Sequence, residues 1–134
     1  MLTRTQIYLE DQTALLVQNI QLLVSSIRSD AEPSIILTQT SSIADVVGKV
    51  ISATEGSNTS LRKQVEPILK KLAACRQKLV DAEAKGAEIE EGGKWKMWTS
   101  TLPPIAFEIA RETKELVLRV DIVDADKGRE DDFS

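Results

Sequence analysis

Few residues of this 134-residue chain are equipped for covalent or acid/base chemistry. Cys75 is the only cysteine and there is no histidine, so no imidazole could activate a thiol or hydroxyl and no zinc-ligand set can be drawn. Cys75 falls among Val65, Ile68, Leu72 and Leu79 at helical spacing, which makes it a small core residue rather than a nucleophile. Glu108 and Glu112 lie one helical turn apart, a spacing more typical of a solvated helix face than of a general acid/base pair. There is no phosphate-binding glycine loop, HExxH, CxxC or nucleophile elbow. These residues predict a protein without catalytic activity, metal or cofactor. What remains for function is contact with another molecule.

The contacts must be carried by helices. Apolar residues make up 42% of the chain but aromatics only 4%, so a core has to be built from Leu, Ile, Val and Ala, which suits packed helices. The length is that of one domain. Seventeen basic against 21 acidic residues leave a net charge of −4, which argues against nucleic acid as a partner. The single cysteine fits a reducing compartment. Charges within the first dozen residues speak against a signal peptide, and no apolar run has the length of a membrane span, so a soluble chain is expected.

The three-four spacing of apolar residues predicts an antiparallel four-helix bundle over residues 1–122, all-α, with helices at about 3–29, 33–54, 60–86 and 94–121. The first carries Leu9, Leu16, Ile20, Leu23 and Ile27, with Val17 and Val24 widening the stripe, and should stop before Pro33. The second is rich in β-branched residues and weakly helical on its own. A turn with several candidate N-caps, Gly56 to Ser60, leads into the third; Pro67 lies within it and Gly86 is expected to end it. An acidic loop containing Glu88, Glu90 and Glu91 follows. Pro103 and Pro104 interrupt the fourth, which must either kink or restart near Thr101. Residues 123–134 read as an acidic tail that frays.

Apolar residues that the core does not need mark candidate contact surfaces. Successive helical residues turn by about 100°. On that construction Tyr8, Leu15 and Leu22 form a second stripe on the first helix, and Phe107, Ala110 and Leu118 form another on the fourth, beside Arg111 and Lys114. First and last helices are neighbours in an up-and-down bundle, so the two stripes are expected to border one groove that accepts an amphipathic helix with acidic flanks. A rival surface lies on the third helix, where Lys63, Lys70, Lys71 and Lys78 suggest a basic module for anionic membrane or actin.

Three stretches carry a family resemblance: YLEDQTALLVQNIQLLVSSIRSD (Tyr8 to Asp30), VEPILKKLAACRQKL (Val65 to Leu79) and FEIARETKELV (Phe107 to Val117). They resemble the C-terminal domain of the GIT scaffold family, which is similar in fold to the focal-adhesion-targeting domain of focal adhesion kinase. The first helix looks most like the version carried by the fungal polarisome scaffold. The resemblance implies a docking module that grips short leucine-aspartate (LD) helices in the groove between helices one and four or two and three. It implies a cytoplasmic protein at sites of polarised growth such as the hyphal or bud tip and septum. By the same resemblance Lys114 meets acidic ligand residues, with Arg111 as a second cation. A family lysine on the first helix is replaced here by Asn19, and Pro103-Pro104 is a further departure.

Overall fold

The computed structural model describes residues 4–56, 59–89 and 92–132, without the side chains of residues 5, 59, 60, 92, 93 and 123–132. Five helices follow in order: α1 (Arg4–Arg28), α2 (Pro33–Glu55), α3 (Thr59–Ala87), α4 (Gly92–Thr99) and α5 (Leu102–Asp132). Four of them form the bundle, with α1 beside α2 and α5, and α3 completing the square between α2 and α5. Among the described residues there is no strand, and the predicted four-helix architecture stands.

Each helix buries the stripe its spacing marks. Leu9, Leu16 and Leu23 of α1 meet Ile36, Ile43 and Val47 of α2, Leu61, Leu72 and Leu79 of α3, and Ile109 and Leu116 of α5 in one core. In α2 the buried Thr40 and Thr54 return their hydroxyls to the carbonyls of Ile36 and Val50 at 2.8 Å, which satisfies polar groups that could not otherwise enter an apolar interior. Thr113 does the same in α5, to Ile109 at 2.7 Å.

The bundle's connections explain its register. α1 ends where Asp30 adopts a left-handed φ of 54°, and the Ala31 N–H bonds back to the Ser26 carbonyl at 2.9 Å, a helix-closing turn. Pro33 then opens α2 at a position that needs no donor. Pro67 stands well inside α3 rather than in its first turn, on the exposed face, where water can satisfy the carbonyl it orphans. Arg76 reaches from α3 across to α2, its Nε donating to the Ala44 carbonyl at 2.9 Å over the bare backbone of Gly48.

The structure differs from the sequence expectation in the second half of the chain. α3 runs to Ala87, one residue past the Gly86 expected to end it, and Gly86 is bare because the Trp98 ring lies where its side chain would be. Of the kink and the restart expected around Pro103 and Pro104, the structure shows the restart, with two helices in place of one. α4 closes with the Thr101 N–H on the Trp98 carbonyl at 3.0 Å, and α5 restarts at Leu102, so Pro103 and Pro104 fall in a first turn whose donors would have been unpaired in any case. α5 also continues to Asp132 instead of stopping near Asp121, there being no proline after Pro104 to halt it. The N-cap before α3 and Glu90 and Glu91 of the acidic loop lie outside the described residues.

Candidate functional site

One hydrogen bond orients the face between α1 and α5. Gln6 Nε2 donates to Asp121 Oδ1 at 3.1 Å, which identifies the flank of each helix that looks at the other. From Asp121, steps of seven residues lead back along the same flank of α5 to Lys114 and Phe107, with Ala110, Val117 and Leu118 beside them. From Gln6 the corresponding flank of α1 carries Thr13, Val17 and Val24. Phe107 is 55% exposed, Leu118 49% and Val17 41%, whereas Ala110, Val117 and Val24 are half-buried between the helices. Half-buried Ala110, Val117 and Val24 thus lie along the α1/α5 seam, and Phe107 and Leu118 stand at its outer, exposed margin.

Its cations are differently engaged. Arg111 is exposed but lies 3.7 Å from the buried carboxylate of Glu112. Lys114 has no ion-pair partner within 4 Å among the described residues and stands beside Phe107 and Leu118.

Tyr8, Leu15 and Leu22 are exposed, as their spacing indicates, but they stand on the other flank of α1. Tyr8 shares a shallow depression with Lys49, Ser52 and Ala53 of α2, and Leu15 and Leu22 follow it at seven-residue steps; half-buried Asn19 lies on the same side. The two stripes therefore do not border one groove. The α5 residues lie on the Asp121 side of their helix, whereas Tyr8, at the head of the α1 stripe, sits against α2. The apolar partner that α1 offers α5 is Val17, which the sequence shows only as a widening of the core stripe.

The basic residues of α3 do not converge either. Lys63 and Lys70 lie on its outward face, whereas Lys71 and Lys78 turn toward α5. Lys70 pairs with Glu66 at 3.7 Å and Lys78 with Glu108 at 4.0 Å. Arg76 is spent on the α2 carbonyl. Cys75 is buried; burial pushes its thiol up, and the neighbouring Glu108 carboxylate adds to the shift, so the thiolate a nucleophile needs is disfavoured. Among the described residues no group of His, Cys, Asp and Glu is arranged to hold a metal ion, and no helix is long and apolar enough to cross a membrane.

A profile of the family described as G protein-coupled receptor kinase-interacting protein 1 C term matches residues 6–121, from the start of α1 through most of α5. The chain belongs to that family. The matched span holds all five helices up to Asp121, including the Gln6 and Asp121 that meet across the α1/α5 seam. Membership makes the domain a protein-interaction module of scaffold type, and the family is not one of enzymes. No curated protein and no solved structure matches the chain.

Proposed function

We propose that this domain docks a short amphipathic LD-like helix of a partner protein along the seam between α1 and α5, as the interaction module of a cytoplasmic scaffold of cell polarity akin to the fungal polarisome version. The observation that carries the reading is the clustering, at the exposed margin of the α1/α5 seam, of Phe107 and Leu118 with a Lys114 that has no ion-pair partner among the described residues. Leucines of the ligand would cover Phe107, Leu118 and Val17, and its carboxylates would pair with Lys114 and, more weakly, Arg111.

Titration of a labelled LD-type peptide tests this. Lys114→Glu replaces attraction by repulsion and weakens binding by about 1–3 kcal/mol. Phe107→Ala weakens it by about 2 kcal/mol through lost apolar burial. Only the first loss shrinks with added salt. Binding indifferent to Lys114→Glu but abolished by Lys70→Glu or Lys71→Glu would move the site to α3 and sink the proposal.

A further inference from the structure

Another concavity lies at the end of the bundle where α1 turns into α2. It is a cavity of about 480 Å³ between the α1–α2 turn and α4, within the size range of ligand sites. Ile27, Pro33, Ile36, Ile89 and Trp95 supply apolar walls. Two carboxylates, Asp30 and Glu32, share the lining with one ammonium, Lys96, and among the described residues none of the three has an ion-pair partner within 4 Å. The lining is thus apolar in its walls and net negative in its charge.

We infer that this cavity receives an arginine side chain, together with an adjoining apolar residue, from a segment of a partner protein. Arginine has an apolar stem that the isoleucines and Pro33 can cover, and a planar cation that suits both an indole and a carboxylate. The volume exceeds what that side chain alone requires, which leaves room for the apolar neighbour. An acidic insert would be repelled by the net negative lining, and a purely apolar one would leave the carboxylates unused.

The molecule carries its own reporter for this site. The chain has two tryptophans: Trp95 lines the cavity, and Trp98 lies with its ring centroid 4.5 Å from that of Trp95. Tryptophan fluorescence is followed while acetyl-leucyl-arginine amide is added, and again with its citrulline counterpart, which has nearly the same shape but no charge. The arginine probe is expected to give a saturable change at a concentration about tenfold lower than the citrulline probe, the difference being the charge-assisted contacts. In the Asp30→Asn, Glu32→Gln double variant the two probes should become equivalent. That variant should fold unchanged, because asparagine accepts the left-handed conformation at residue 30 and the Glu32 side chain makes no capping bond to α2; its melting curve checks this. Equal binding of the two probes to the unaltered chain, or no saturable change with either, overturns the inference. Binding of the LD-type peptide, whose proposed contacts include neither Asp30 nor Glu32, should survive the double variant, so this site and that one fail independently.

Discussion

The indole of Trp98 occupies the space that a side chain on Gly86 would need, and its Nε1 donates to the Ala82 carbonyl at 2.7 Å, one turn earlier on the same helix. A ring, a bare backbone and a carbonyl together fasten α4 to α3. The sign of a single substitution therefore becomes informative. In an unencumbered helix Gly→Ala stabilises by about 1 kcal/mol. Gly86→Ala is expected to destabilise instead, by about 1–3 kcal/mol, since its methyl group must push the ring away. Urea unfolding followed by circular dichroism decides; a stabilised variant would mean that Gly86 is bare for some other reason.

The two flanks of α1 make opposite predictions for the α1/α5 seam. Val17→Asp places a carboxylate on the α5 side of α1 and should weaken an acidic LD-type peptide by at least about 1 kcal/mol. Leu22→Asp, a similarly exposed change on the α2 side, should alter binding by no more than about 0.3 kcal/mol. Calorimetric titration of both variants distinguishes the α1/α5 face from the stripe containing Tyr8, Leu15 and Leu22. The reverse ranking would return the site to that stripe.

Cys75 couples stability to alkaline pH. Its thiol is pushed up in the folded chain, so above the ordinary thiol range the unfolded chain has lost a proton that the folded chain retains. Stability contributed by the protonated thiol is present below that range and declines as pH rises through it. Cys75→Ala should remove this component of the pH dependence while lowering stability throughout by the lost packing. Chemical denaturation from neutral to mildly alkaline pH measures it, and parallel slopes for the two proteins would contradict the assignment.

Arg76 is predicted to be a packing residue rather than part of a basic docking surface. Arg76→Met keeps the stem and removes the bond to the Ala44 carbonyl, at a cost of about 1 kcal/mol in stability. Arg76→Lys should restore little of it, because lysine lacks the Nε donor. Thermal melts check both, and full stability of Arg76→Met would show the bridge to be dispensable.

Much of the architecture is legible from spacing because the core stripes are strong. The ends of α1, α2 and α3 fall within about a residue or two of expectation, the usual ambiguity of a helix terminus. Gly86 misleads because bare backbone can serve either a helix end or a close approach, and only the arrival of Trp98 tells the two apart. Tyr8, Leu15 and Leu22 show a deeper limit. Angular spacing finds the flanks of a helix but not which neighbour each flank faces. That depends on the hand with which the chain winds round the bundle, a property of all the helices together. Local pattern gave the exposure of Lys114, yet its freedom from described carboxylates required coordinates.

The composition of α2 has a kinetic consequence. Its run of isoleucine, valine, threonine and serine borrows helicity from packing against α1 and α3, and all three of its threonines return hydroxyls to its own carbonyls. A helix so dependent on its neighbours is expected to consolidate after they have assembled, with its contacts formed on the native side of the folding barrier. Truncations such as Val47→Ala would then hasten unfolding far more than they slow folding. For a scaffold subjected to tension or slow turnover, the lifetime of the folded domain would be governed by α2, the helix least able to stand alone.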